Sequence, residues 1–453
     1  MDQNPEPAPT ARSLSANFWW FFVGNATYSF CQWIILVALA KLVTPLMLGK
    51  FALGLAVAAP ILTFTNLQLR AVQATDAREQ YHFSEYFGMR IVTTSAGLLV
   101  IALIALFGRF QPGTAVIVLA VGMAKAVECM SDVFYGLFQH HEDLKRIAVS
   151  MMLRGLMASA ALAGVVYLTH DVLWGTLAMM GVWAVVWALH DLRWGHRMIA
   201  ARGAAGGRPG PGGGRGLRPR TEPVRSWTLF KLALPLGIVM VLVALNTNIP
   251  RYFVEYHMGE ENLGIFSAMA YAMVALTGVG EALGQSAAPK LARYFANGQI
   301  AQFRSLVGRL LAIIAVPGAA AILVAYFGGA TLLRLLYTPR YAQHADAFVW
   351  LMVTAAATCV ALLLSSAVTA ARHFRIQVPM FATSALALTA GCYFLVPVAG
   401  MRGAAMAAAL ASTLHVLMAA GVLGWILLSH QARQATSFRQ ARPETYSAPG
   451  LEA

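Results

Sequence analysis

The residues with most chemistry to offer lie where the chain is otherwise oily. Lys125-Ala-Val-Glu128-Cys-Met-Ser-Asp132 sits inside an apolar run. Helical pitch brings Lys125, Glu128 and Asp132 within about 60° of one another on one face. The next apolar run returns antiparallel and carries Arg154 to about the depth of Asp132. An ionisable group at mid-bilayer costs a few kcal/mol on insertion scales, so it faces a bundle interior or water. Two readings are open, and they can coexist: an ion-pair cluster that locks neighbouring helices, or a charged patch on a water-filled lumen. On the second reading Lys125 and Arg154 line the lumen. Glu128 and Asp132, with Glu281 further along, are carboxylates suited to proton or sodium coupling.

Uncharged polar residues fall into a related pattern. Asn25, Ser29 and Gln32 share one helix face; Asn66, Gln68 and Arg70 end a second apolar run; Asn246, Asn248 and Arg251 end a seventh; Glu281 and Gln285 lie one turn apart on an eighth. Singly, each serves as well for an interhelical hydrogen bond as for a ligand contact. Their concentration on four runs points to a central cleft. Other groupings carry less. His140-His141-Glu142-Asp143 falls at a helix end where charge is expected, so no metal site is predicted. His190 and His196, flanking Trp194, read as interfacial belt residues. No GxSxG, Walker or kinase pattern occurs, no outer loop exceeds about twenty residues, and no catalytic residue is predicted. The four cysteines all lie in apolar runs without a CxxC, which argues against disulfides and zinc.

The elements that must position these groups follow from composition. Of 453 residues, 58% are hydrophobic and 11% charged, where soluble domains carry about 25% charge. A mean hydropathy of +0.63 agrees. Too few charges remain to cover a soluble globule, and a polytopic membrane protein is implied. A helix needs about 20 apolar residues to cross the hydrocarbon core. Twelve spans meet this, at roughly 17–41, 51–71, 89–108, 114–138, 147–168, 172–192, 228–251, 262–286, 306–328, 345–369, 376–397 and 402–428. The first is longer than a signal-peptide core and reads as a retained span. An even number puts both termini on one side. With that side cytoplasmic, the inner segments hold 22 Lys+Arg against 7 outside, and 14 against 7 without the central linker, as the positive-inside rule requires. The same rule accounts for the net charge of +14 without nucleic acid as a partner.

The chain divides into a tail (1–16), an N-lobe (17–196), a Gly/Pro/Arg-rich linker (197–227), a C-lobe (228–429) and a second tail (430–453). The linker composition cannot build a core and reads as a flexible cytoplasmic tether. Leu48-Gly49-Lys50-Phe51 opens the second span and Leu263-Gly264-Ile265-Phe266 the eighth, each after a short outer loop. This weak echo, with six spans per half, predicts parallel repeats about an axis along the membrane normal. The fold expected is an all-α membrane protein of about twelve helices in two six-helix lobes around a central cavity.

Several stretches carry a more specific likeness: LVTPLMLGKFALGLAVAAPI (42–61), FTNLQLRAVQATDA (64–77), KAVECMSDVFYGLFQHHEDLKRIAVS (125–150), NIPRYFVEYHMGEENLGIFSAMAYAMVALTGV (248–279), GQSAAPKLARYFANG (284–298) and RLLYTPRYAQHADAF (334–348). Together they resemble the oligosaccharide flippase (Wzx-like, polysaccharide transporter) family of the multidrug/oligosaccharidyl-lipid/polysaccharide (MOP) exporter superfamily. The resemblance implies passage of a polyprenyl-pyrophosphate-linked oligosaccharide across the bacterial inner membrane, with polymerase and chain-length proteins as further partners. The pyrophosphate would need cations near the interfaces, and Arg70, Arg90, Lys231, Lys290 and Arg251 are the candidates. No cofactor is implied beyond a coupling proton or sodium ion. A multidrug antiporter and a lipid II flippase are the alternatives within the superfamily.

Overall fold

The computed structural model describes residues 14–440, apart from 75, 77–79, 109, 205–217, 372 and 374–375, and without the side chains of 14–18, 201–204, Ala275, Gln285 and 430–440. The described residues form an all-α bundle. Its helices are α1 (Leu14–Leu42), α2 (Pro45–Thr65), the short α3 (Leu69–Ala74), α4 (Phe83–Phe107), α5 (Pro112–His140), α6 (Leu144–Thr169) and α7 (Val172–Val186). A π-helical turn, Trp187–Leu192, joins α7 to α8 (Arg193–Ala204). Then come α9 (Pro223–Tyr271), α10 (Met273–Ala296), α11 (Ile300–Leu336), the short α12 (Pro339–Ala342), α13 (Ala345–Ala370) and α14 (Gln377–Gln440).

Local sequence sets several boundaries. Pro45, Pro112 and Pro223 occupy first-turn positions, where the missing N–H is no loss. Thr44 caps α2 by accepting the Met47 N–H. After Thr65 the chain leaves helical geometry through Leu67 and Gln68, both at φ 49°, so the second span ends earlier than 71 and Arg70 falls on α3. Two helices each hold a reversal at a left-handed glycine, Gly259 (φ 81°) and Gly400 (φ 54°). Glycine is required there because other residues adopt such backbone at a cost.

Ten helices are long and apolar enough to cross a membrane among the described residues. Breaking the two longest at Gly259 and Gly400 makes twelve, with Glu260 leading through Tyr271 into α10. At Gly400 the returning leg packs tightly: Gly403 faces the Leu395 carbonyl, Gly391 faces Ala407, and Ser384 donates to the Ala411 carbonyl. Small residues allow this approach, which is how helices associate without a hydrophobic drive. The linker is shorter than its composition implied, since α8 runs to Ala204 and α9 starts at Pro223; its low-complexity stretch 205–217 lies outside the described residues. Helix α14 likewise continues into the expected tail as far as Gln440.

Two faces can be distinguished. The proximal face carries the N-terminal end of α1, and the distal face carries the α1–α2 connection, Gly259 and Gly400. In the distal half one apolar core runs through both lobes, from Leu39, Leu53 and Val118 to Val254, Phe266 and Met401. In the proximal half the core splits. One cluster, around Phe134, Phe138 and Ile147, lies in the N-lobe and takes Leu229 and Ala233 from the start of α9. The other, around Leu291, Phe303, Leu363 and Leu423, lies wholly in the C-lobe. Apart from the start of α9, which packs on the N-lobe, the lobes therefore share one core distally and keep separate cores proximally.

The echoed motifs make that junction. A Cβ on Gly49 would lie 1.7 Å from the Glu260 carbonyl oxygen, and one on Gly264 would lie 2.2 Å from the Pro45 oxygen and 2.8 Å from the Gly49 nitrogen. The two glycines of the internal repeat thus pack backbone to backbone, one from each lobe. Thr114 donates to Glu260 at 2.6 Å, and Lys41 donates to the Leu335 carbonyl at 3.2 Å, both across the lobes.

Candidate functional site

Helix α5 crosses the level at which the shared core divides, with Ala124 and Cys129 in the joint cluster and Val133 in the N-lobe cluster. The charged residues of α5 occupy this level. Lys125 Nζ lies 2.7 Å from Glu128 Oε2, one helical turn along. Glu128 Oε1 accepts from the Tyr28 hydroxyl of α1 and lies 3.9 Å from Arg154 Nη2 of α6. Lys125 and Arg154 both stand over the Trp183 ring of α7, at 5.4 and 5.2 Å. Across the lobe boundary, Tyr271 lies within electrostatic reach of Lys125, Glu128 and Arg251. Four N-lobe helices and two C-lobe legs thus converge on one group.

Asp132 does not join Arg154, as the depth argument predicted. Arg154 turns toward Glu128 and donates to the Tyr135 hydroxyl at 3.3 Å. Asp132 instead pairs with Arg90 of α4 at 3.1 Å and Arg70 of α3 at 3.7 Å. The α3 turn, created by the left-handed break after α2, is what swings Arg70 over α5, where it also donates to Gln139 at 3.0 Å. The sequence's single cluster is therefore two trios on successive turns of α5. Each has two basic side chains on one carboxylate, a formal positive charge in excess.

Exposure separates the members. Lys125, Glu128, Asp132 and Arg70 are 28, 25, 28 and 22% exposed, whereas Arg154 is 3% and Arg90 0% exposed in their side chains. The four open groups can be reached by solvent, and the two buried arginines support them. Arg90 is removed from the set of ligand-binding cations: it is enclosed by Asp132 and by Asn66, whose amide oxygen accepts from Nη1. Asn66 is consumed in the same bond.

The remaining predicted residues are scattered. Asn25 is exposed on α1 and Gln32 half-buried. Asn246 donates to the Leu242 carbonyl of its own helix and to Phe381 of α14, and Asn248 donates to Ala244 while accepting from Arg251 at 2.9 Å. These asparagines tie α9 together and to its neighbour. Arg251 keeps a buried, unpartnered Nε. Lys231 and Lys290 are exposed and lie over the rings of Trp227 and Tyr294. Glu281 is exposed on α10, and the Gln285 side chain lies outside the described residues. Sequence reasoning missed Tyr28, Tyr271 and Trp183, whose aromatic character in apolar runs gives no signal, and Asp191. His190, read as a belt residue, turns inward to Asp191 at 2.9 Å.

Comparison with known proteins decides the family. Residues 14–295 match the family model described as polysaccharide biosynthesis protein. The chain belongs to that family. A relative, the capsular polysaccharide biosynthesis protein CapF of Staphylococcus aureus, is 24% identical over 329 residues, covering 72% of this chain and 78% of CapF. Among solved structures, lipid II flippase MurJ in an inward closed conformation aligns with a TM-score of 0.69 at 10% identity, over 94% of this chain and 93% of that one. A point mutant of the Vibrio cholerae MATE transporter VcmN aligns with a TM-score of 0.58 at 14% identity, over 94% and 97%. The fold is that of the MOP superfamily, two lobes included, and the protein is a multi-pass membrane protein.

Proposed function

We propose that this protein flips a polyprenyl-pyrophosphate-linked oligosaccharide across the bacterial inner membrane, from the cytoplasmic to the periplasmic leaflet, for surface polysaccharide synthesis. Both termini are cytoplasmic in this reading, so the proximal parting of the lobes faces the cytoplasm. The observation that carries it is the pair of trios on α5, each with a surplus positive charge, at the level where the lobes part. Glycan hydroxyls stripped of partners in hydrocarbon would each cost kcal/mol, so their path must be wet and polar. The prenyl chain needs no such path and stays in lipid. Lys125 and Arg70 offer the accessible cations for the pyrophosphate, with Arg154 and Arg90 holding their carboxylate partners behind them.

Alternating access then consists of breaking the distal Gly49–Gly264 junction while closing the proximal gap. The family of polysaccharide biosynthesis proteins supports this cargo over a drug, and the closer structural agreement with MurJ than with VcmN favours a lipid-linked one. Lipid II itself is the alternative cargo. Deleting the gene tests the reading: lipid-linked glycan accumulates on the inner face of the membrane and surface polysaccharide is lost. Altered drug sensitivity with normal glycan display would indicate an antiporter instead. Polymerase and chain-length proteins are the expected consumers of the product.

A further inference from the structure

The two trios on α5 are built alike, and their construction gives the carboxylates a role that the proposed function leaves open. Each carboxylate is held from two sides. On one side stands a cation that solvent reaches, Lys125 or Arg70; on the other stands a buried arginine, Arg154 or Arg90. The open contacts are unequal. Lys125 Nζ is 2.7 Å from Glu128 Oε2, a charge-assisted hydrogen bond, whereas Arg70 Nη1 is 3.7 Å from Asp132 Oδ1, beyond hydrogen-bond distance. Arg70 gives its Nε to Gln139 instead, at 3.0 Å.

The buried arginine behind Glu128 has a donor to spare. Arg154 Nη2 makes no hydrogen bond, yet it lies 3.9 Å from Glu128 Oε1. A buried donor without an acceptor is costly, and a shift of about 1 Å brings this one into hydrogen-bond range. The Tyr28 hydroxyl already donates to the same oxygen. Glu128 therefore keeps two donors when Lys125 departs. Its charge is not stranded, which is what makes the breaking of a buried pair expensive. Lys125 stands over the Trp183 ring on a flexible four-carbon stem, which lets its ammonium group turn away.

We propose that Glu128 is a built-in stand-in for the cargo's anion: it occupies Lys125 while the site is empty, and an incoming phosphate group displaces it onto Arg154 and Tyr28. Binding is then an exchange of one anion for another on the same ammonium group. Release is the reverse, with Glu128 retaking Lys125. Asp132 does the same for Arg70, more weakly because its contact is longer. The identity of the anion, a pyrophosphate, rests on the proposed function. The exchange predicts what a purely structural ion pair does not: removing the acid tightens binding.

The test is calorimetric titration of inorganic pyrophosphate into the purified full-length protein. Glu128→Gln should bind it about 10-fold tighter than wild type, the worth of one hydrogen bond to a charged group. Asp132→Asn should gain about 3-fold, as befits a partly exposed ion pair, and supplies the reading if Glu128→Gln fails to fold. Glu261→Gln, which removes the same charge from the exposed pair with Arg340, should gain nothing. The Glu128→Gln gain should vanish in combination with Lys125→Gln, because the exchange needs the ammonium group. Binding by both acid-to-amide variants equal to or weaker than wild type, or a Glu128→Gln gain that survives Lys125→Gln, overturns the proposal. With lipid-linked glycan in proteoliposomes, Glu128→Gln should lower KM and kcat together, since the tighter complex releases more slowly. The calorimetric pattern in a protein that moves no such glycan leaves the exchange standing and overturns the cargo reading; glycan movement without the calorimetric gain does the opposite.

Discussion

Adding one methyl group to Gly49 should unbalance the conformational equilibrium. In the Gly49→Ala variant the new Cβ would sit 1.7 Å from the Glu260 carbonyl oxygen and 2.5 Å from its carbon. Both are backbone atoms that cannot swing aside, and Gly264 packs on the other side against Pro45 and Gly49 itself. Overpacking a fitted site costs about 1–3 kcal/mol, and a backbone-to-backbone clash belongs at the top of that range. About 3 kcal/mol charged to the distally closed state shifts its population relative to the open one by about 100-fold. The assay is chemical crosslinking across the junction, with cysteines replacing Lys41 and Leu335, whose Nζ and carbonyl oxygen are 3.2 Å apart. The crosslink should fall sharply in Gly49→Ala and be unchanged in Gly164→Ala, where a Cβ meets nothing within 4 Å. Equal crosslinking in both, with transport intact in Gly49→Ala, would refute the reasoning.

Three further outcomes are expected. Arg90→Met leaves Asp132 without its closest cation and should lower stability by about 1.5–3 kcal/mol, the worth of a hydrogen bond to a charged group; Arg90→Met/Asp132→Asn should recover most of it, read by thermal unfolding of purified protein. Gly403→Ala places a Cβ 2.1 Å from the Leu395 carbonyl oxygen and should depress the unfolding temperature by prising the α14 hairpin apart. Lys231→Ala and Lys290→Ala, at exposed positions, should change stability by less than about 0.5 kcal/mol in the same measurement.

The sequence made the bundle legible because hydrocarbon tolerates so few solutions: apolar runs of span length must be helices. The two reversals were legible too, since Gly259 and Gly400 stand at the gaps between runs. The LGxF echo was visible as four letters, but its meaning, a backbone contact between lobes, needed coordinates. Charge partners were less readable. Lys125 and Glu128 share a helix, so spacing alone pairs them. Asp132 goes to Arg90 and Arg70 because a left-handed break at Leu67 and Gln68 redirects the chain, and no residue pattern announces that break.

The claim that Lys125 meets the cargo's pyrophosphate in a wet cleft has one most direct test. Purified protein in proteoliposomes is given a fluorescent polyprenyl-pyrophosphate oligosaccharide, and delivery to the opposite leaflet is timed by an impermeant quencher. A hydrogen bond to a charged group contributes about 1.5–3 kcal/mol, so Lys125→Gln should slow delivery by about 10- to 100-fold while leaving the protein folded and monodisperse. Delivery at the wild-type rate by Lys125→Gln would contradict the account.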